Sequence, residues 1–439
     1  MFPALQVIAE AISAPSVLGV CVEFIAFALT LVGVATFHKY SMQVALAGLA
    51  AILAFKLLFD PSFHFVEHMV GSPEQDGEWR TLLNLLGLLL GFAILAKHFE
   101  ESKIPQVLPA YLPNDWKGGF VLLVIVFVLS SFLDNIAGAM IGGAMAHVVF
   151  RGKLHVGFLA AIVAASNAGG AGSVVGDTTT TMMWIEGVRA VEVLQAYTAA
   201  VPALLIFGVI AAFQQDRFNP ISKEAPTGVE IEWRRVAVVA MILVGTIATN
   251  ILLDFPAVGV WLALLVGATF TKTPWGELPT ALKGSIFLLS LVMCASMMPV
   301  DELPAASWVS SFGLGFVSAV FDNIPLTKLA LEQGGYDWGM LAYAVGYGGS
   351  MIWFGSSAGV ALSNMYPEAK SVGRWLAAGW HVALAYVVGF MVMLALTGWH
   401  PTDKRGKVLA ESPPAAVEQA ADCAISRCEV ALRRLEAGE

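Results

Sequence analysis

The chain has 439 residues, of which 57% are hydrophobic and only 13% charged, with a formal net charge of -9. A soluble domain of that length has no use for so much apolar surface, so the composition excludes a water-soluble enzyme or binding module and indicates a polytopic membrane protein. No basic patch accompanies the acidic balance, which leaves membrane lipid rather than nucleic acid as the first partner.

Taken in chain order, the apolar runs predict ten spanning segments. Five lie at 16-37, 42-59, 80-98, 155-187 and 192-214, and five at 235-254, 256-271, 282-300, 337-365 and 372-398. The first charge is Glu10 and no basic stretch precedes it, so the opening apolar run reads as a true span and not as a cleaved leader. Two further apolar stretches, 118-150 and 306-332, are too polar at their centres for ordinary spans. Each is expected to be a re-entrant hairpin, a form tolerated at membrane depth only where protein or water satisfies the backbone. From about His400 the chain turns polar, with Pro413-Pro414 as a linker and Cys423 and Cys428 beyond it.

The hairpin stretches carry the same short string. Ser130-Ser131-Phe132-Leu133-Asp134-Asn135-Ile136 and Ser318-Ala319-Val320-Phe321-Asp322-Asn323-Ile324 both read S-x-x-x-D-N-I. A second signature follows each one. Gly169-Gly170 with Gly176-Asp177 matches Gly348-Gly349 with Gly355-Ser356. Glycines this dense interrupt a helix and let the backbone approach a ligand. The expected architecture is therefore an all-α, inverted-repeat secondary transporter. It has about ten spans, two re-entrant hairpins and two discontinuous helices. The first repeat is 16-214, the second 235-398, and 400-439 is a polar tail. Lysine and arginine gather on one set of loops, including Lys103, Lys117, Arg151, Lys153, Arg234 and Arg235, while the opposite loops hold Arg80 and Arg189. The positive-inside rule then puts the N-terminus and loop 60-79 outside.

A carboxylate at the bilayer centre costs about 2.5 to 3.5 kcal/mol even on the milder scale, and it persists there chiefly where it binds or relays something. Asp134, Asp177 and Asp322 all fall in such positions. Asn135, Asn167, Asn323, Ser130, Ser131, Ser318, Thr179 and Thr180 lie around them, an oxygen-rich set suited to a hard cation. Burial tightens a carboxylate's hold on its proton and a bound cation loosens it, so one aspartate can carry either. A plainer reading is that Asp and Asn merely cap the broken helices. Lys328 follows Asp322 within the second hairpin. It could snorkel to the surface, or pair with a site acid and stand in for the cation in one state.

Other ionisable groups have simpler readings. Glu23 could face a polar cavity or lie near a span end. Lys56 and Lys97 are placed to snorkel. His381 is expected to be a core histidine, and Glu100 and Glu101 to end a span at the surface. Cys21 and Cys294 should be inert in apolar spans. His64-Phe65-Val66-Glu67-His68 matches a zinc-protease pattern but lacks a third ligand. Val345-Gly346-Tyr347-Gly348-Gly349 looks like a potassium filter, which needs four copies around an axis. Gly87-x3-Gly91 could serve packing within the chain or a homodimer.

Ser-Asn-Ala-Gly-Gly-Ala-Gly-Ser-Val-Val-Gly-Asp-Thr-Thr-Thr-Thr-Met-Met-Trp, residues 166-184, resembles the signature of NhaD-type sodium/proton antiporters. The strings 321-327 and 348-360 are similar to the second-half signatures of the wider ion-transporter superfamily, which includes arsenite and dicarboxylate permeases. The resemblance covers about 40 to 398. It implies a multi-pass protein of a bacterial-type inner membrane that exchanges Na+ or Li+ for H+ by alternating access, not an enzyme, and with no cofactor beyond the transported ions. It places Na+ at Asp134, Asp177 and Asp322, with the amides and hydroxyls above completing the set. The alternative is an ion-coupled permease for arsenite or a di- or tricarboxylate. Carboxylate-transporting relatives tend to carry Ser-Asn-Thr at the hairpin tip, and Asp replaces that Ser here in both halves, which favours a cation.

Overall fold

A computed structural model of the chain describes residues 16–17, 20–37, 40–72, 75–221 and 229–403. Among these the structure is helical apart from two two-residue strand pairings, Ser16–Val17 with Val20–Cys21 and Gly71–Ser72 with Gln75–Asp76. The polar tail beyond Asp403, with Cys423 and Cys428, lies outside the described residues, as does Glu10.

The first helices are α1 (Val22–Thr36), α2 (Ser41–Phe59), the short α3 (Phe65–Val70), α4 (Glu78–Glu101) and α5 (Ile104–Val107). Next come α6 (Trp116–Ser130) and α7 (Asn135–Val149), which flank the first D-N string, and α8 (Val156–Ala171) and α9 (Thr178–Ile185), which flank the first glycine break. The short α10 (Ala190–Leu194) and α11 (Tyr197–Phe218) close this half. The second half begins with α12 (Trp233–Leu253), α13 (Pro256–Gly267) and α14 (Leu278–Ser296). It continues with α15 (Trp308–Ser318) and α16 (Asn323–Gln333) around the second D-N string. Then α17 (Trp338–Gly348) and α18 (Ser357–Met365) flank the second glycine break, before α19 (Val372–Ala378) and α20 (Trp380–Thr397).

Six helical stretches are long and apolar enough to cross a membrane: Ser41–Phe59, Glu78–Glu101, Ala190–Phe218, Trp233–Leu253, Trp275–Ser296 and Trp380–Thr397. The count falls four short of the expected ten for local reasons, beginning with 16-37, which yields only the 15-residue α1. Stretches 155-187 and 337-365 are each split by glycines into two helices, and 256-271 yields only a 12-residue helix.

The centre of the molecule is built from α8 and α17. Every residue of α8 after Val156, and every residue of α17, is buried. A helix that is apolar all round belongs inside other helices. Here α8 is enclosed by α6, α7, α11 and α17, and α17 packs on α15, α8 and α20. Small residues allow this enclosure. A Cβ at Gly169 would collide with the Phe127 carbonyl oxygen on α6, and a Cβ at Gly348 would collide with the Gly315 carbonyl oxygen on α15. The two contacts occupy matching places in the two halves. Aromatic rings seal the α15–α17–α20 side. Tyr343 and Tyr386 stack at 5.7 Å, Phe312 and Tyr386 at 5.5 Å, and the Tyr386 hydroxyl donates to the Phe312 carbonyl at 2.7 Å.

The peripheral ionisable groups mostly find partners. Glu23 is buried and meets Lys56 at 3.4 Å, and Lys56 also meets Asp60 at 3.0 Å. The open question over Glu23 thus closes on an intramolecular pair, and Lys56 is not a free snorkelling chain. Lys97 reaches Glu100 at 2.9 Å, and Glu101 pairs with Arg235 at 2.6 Å. His381 is buried, with Nε2 against Gln214 Oε1 at 3.2 Å, as a core histidine should be. Cys21 and Cys294 are buried free thiols. Gly87 meets Ala257 and Trp261 while Gly91 meets Val260, so the Gly87-x3-Gly91 face packs on α13 of the same chain. The filter-like string 345-349 belongs to the end of α17.

His68, on the short α3, faces Ser296 Oγ at 3.1 Å. Burial holds its imidazole below the ordinary range; Lys328 and Lys56 add to that and Glu332 opposes it. A depressed folded-state histidine contributes stability that is present above the unfolded pKa of about 6.5 and is lost as the pH falls from there toward the folded value. Thermal unfolding of the purified protein should therefore lose stability between about pH 7 and 5, and His68→Gln should flatten that loss. An unchanged pH slope in His68→Gln would show that another group carries it.

Candidate functional site

Four helix N-termini meet beside the two central helices, and each is supplied by a motif that the sequence repeats. Asp134 is the N-cap of α7, Asp177 of α9, Asp322 of α16 and Ser356 of α18. The capping reading is correct as far as it goes. Asp177 Oδ1 accepts from the Thr179 backbone N–H at 3.0 Å, and Asp322 Oδ1 accepts from that of Ile324 at 3.0 Å. Each cap uses one carboxylate oxygen and leaves the other for the junction. Asp177 Oδ2 accepts from Asn135 Nδ2 at 3.0 Å, and Asp322 Oδ2 takes a longer contact from the Ser357 hydroxyl at 3.4 Å.

The amides join the two halves. Asn135 Nδ2 also donates to Asn167 Oδ1 at 3.2 Å. Asn167 Nδ2 in turn donates to Ser350 Oγ at 2.9 Å and to Ser356 Oγ at 3.1 Å, both on the second glycine break. Asn167 is thus the bridge between the first-half acids and the second-half hydroxyls. Ser131 Oγ donates to the Phe127 and Gly169 carbonyls at 3.1 Å each, and Ser130 Oγ lies 3.2 Å from Ser166 Oγ. Ser166 hydrogen-bonds the Asn135 carbonyl, which fixes the first helical residue of α7. Ser318 Oγ donates to the Val345 carbonyl at 2.7 Å. Thr180 Oγ1 is spent on the Ser173 and Asp177 carbonyls, at 2.6 and 2.9 Å. Ser130, Ser318 and Thr180 therefore shape the breaks. Thr179 Oγ1 and Asn323 Nδ2 are buried with hydrogen-bonding capacity unused among the described residues.

Helix N-termini carry partial positive charge and favour anions. The three carboxylates reverse that sign. Asp134 and Asp322 both lie within Coulombic range of Asp177, so the junction as a whole attracts cations. Among the described residues the three acids do not close into one metal-ligating cluster. The zinc-protease look-alike at 64-68 forms no such cluster either.

A cavity of about 350 Å³ runs between α4 and α14 on one wall and α7 and α9 on the other. Its lining includes Glu277 and Thr280 as well as Asp134, Thr178 and Thr181. Of the three aspartates Asp134 is the one that lines this cavity, while Asp177 is 2% exposed.

Lys328 corrects both expectations for it. It is fully buried, so it does not snorkel, and its ion-pair partners are not the site aspartates. Its ammonium meets Glu78 at 2.9 Å, Glu186 at 2.9 Å and Glu332 at 2.7 Å. Thr81 Oγ1 adds a hydrogen bond to Glu186 at 3.0 Å. Sequence reasoning missed these three acids. Glu332 was detectable, because it lies four residues beyond Lys328 on one helix face. Glu78 and Glu186 come from distant helices and carried no local signal.

No protein-family model matches the chain. Among curated proteins it is similar to the Na+/H+ antiporter NhaD of Vibrio parahaemolyticus, at 28% identity over 68% of this chain and 87% of that one. It is likewise similar to NhaD of Alkalimonas amylolytica, at 27% identity over 66% of this chain and 69% of that one. Sodium/proton antiporter 1 of Arabidopsis thaliana is 26% identical over 65% of this chain, and the match spans 55% of that protein, less than two thirds of its length. Apolar helices, repeated D-N caps at broken helices and these similarities point the same way: the chain is similar to NhaD-type sodium/proton antiporters.

Proposed function

We propose that the protein exchanges Na+ or Li+ for H+ across a membrane by alternating access. The observation that carries this reading is the placement of three carboxylates on three helix N-termini of the broken elements, with a cavity leading to one of them. A cation entering at the Glu277 end meets Asp134 first. Asp177 lies behind it, held by Asn135 and by its own cap. Several negative charges crowded in a dry site cannot all remain uncompensated, so a bound cation or a proton must balance them. Entry of one therefore favours release of the other, and these acids titrate as a set.

The repeated motifs support an inverted-repeat frame in which α6–α7 and α15–α16 are re-entrant hairpins, and α8–α9 and α17–α18 are discontinuous helices. Loop charge supports an orientation with the Glu277 end of α14 on the cytoplasmic side of a plasma membrane. The carboxylates disfavour an anion permease, because they would repel its substrate.

Everted membrane vesicles, acidified inside and followed with a pH-sensitive dye, test the reading. Addition of Na+ or Li+ should release protons, and Asp134→Asn should abolish the response. Silence of the wild-type chain toward every monovalent cation would overturn it.

A further inference from the structure

The Lys328 cluster sits apart from the ion site, yet both are built on the same helices. Helix α9 has Asp177 as its N-cap and Glu186 as its C-cap, about 14 Å apart on either side of eight helical residues. Helix α16 opens on Asp322 and Asn323 and carries Lys328 and Glu332 further along. Each of these rigid rods has a site group at one end and a cluster group at the other. The remaining partner, Glu78, is the first residue of α4, and α4 from Leu85 to Ala96 forms a wall of the cavity. The cluster therefore ties the site helices to α4 at its Glu78 end, while the cavity separates α7 and α9 from α4 toward its other end.

We infer that Lys328 with Glu78 and Glu186 is a latch that keeps the site closed toward the Glu78 side, and that it parts in every transport cycle. This rests on the exchange reading above. While Lys328 holds Glu78, neither α9 nor α16 can leave that end of α4, so the site cannot open there. The arrangement also explains Glu332. A buried ammonium without a partner is strongly unfavourable. Glu332 shares a helix with Lys328 at i+4 and travels with it, so Lys328 keeps one carboxylate when Glu78 is left behind. Thr81, one turn along α4 from Glu78, loses Glu186 in the same movement.

The test uses full-length protein in proteoliposomes, with Cys21, Cys294, Cys423 and Cys428 replaced by Ser. Glu78→Cys with Leu329→Cys is joined by a short, reducible bifunctional thiosulfonate, which leaves Lys328, Glu186 and Glu332 in place. Linking should slow Na+-driven proton exchange more than 20-fold, and reduction should restore it. A linked protein that exchanges at half or more of its reduced rate overturns the latch. Separately, Thr81→Cys with Lys328 intact should react with a membrane-impermeant maleimide at least fivefold faster during turnover than at rest. Equal rates overturn the latch whether or not the cross-link forms. If the unlinked parent chain exchanges no ions, the exchange reading has failed instead, which separates the two outcomes.

Discussion

Asp177→Asn is expected to eliminate Na+-driven proton exchange while leaving the fold intact. The Asn side chain keeps an oxygen where Asp177 Oδ1 caps Thr179, so the cap at the start of α9 is retained, while its NH2 group, now facing Asn135 Nδ2 where Oδ2 accepted, costs about 1 to 3 kcal/mol. It removes the charge at the most buried of the three acids, and with it the ability to alternate between proton and cation. Asp177→Ala should lose exchange and stability together. It removes the cap, worth about 1 kcal/mol, and leaves the buried Asn135 amide without its acceptor, which costs about 1 to 3 kcal/mol more. Dye-monitored vesicles and thermal unfolding in detergent separate the two variants. An Asn variant that exchanges within twofold of wild type would remove Asp177 from the transport chemistry and leave it as a helix cap.

Gly169→Ala and Gly348→Ala should each destabilise the protein by about 1 to 3 kcal/mol, through backbone that cannot give way. In both places the added methyl runs into a carbonyl oxygen of the neighbouring helix, at Phe127 and at Gly315. Gly313→Ala is the control. It lies within α15 with open space around it, so alanine there should stabilise by about 0.5 to 1 kcal/mol. Thermal unfolding of the three variants decides the matter. If Gly169→Ala unfolds with Gly313→Ala and not well below it, the close approach of α6 to α8 is not what positions the first break. The matched outcome at Gly348 would show that both halves use one packing device to bring their caps together.

Much of the site was legible because its parts are local. A D-N pair after an apolar run is a cap signal, and Asp134 and Asp322 do stand at the N-cap positions of α7 and α16, though only the Asp322 carboxylate bonds its helix there. The glycine strings marked the breaks that precede α9 and α18, and Asp177 and Ser356 stand at matching places as their caps. The contrast between those two, a carboxylate in one half and a hydroxyl in the other, was visible in the chain alone. The hydrogen bonds from Asn167 to Ser350 and Ser356 were not, because they join segments that only folding brings together. Lys328 failed for the same reason. From its neighbours in sequence it reads as a lysine near Asp322, and its partners Glu78 and Glu186 belong to helices far away in the chain.

Local chemistry in the sequence thus determined that this is a helical membrane protein with paired broken elements and three aspartates at their starts. Hydrophobicity and helix capping are short-range properties, readable from adjacent residues. The tertiary structure decided what the second oxygen of Asp177 and of Asp322 meets, which acid lines the cavity and which acids hold Lys328. Those outcomes depend on how α4, α9 and α16 meet, and a contact between distant helices leaves no mark in either sequence taken alone.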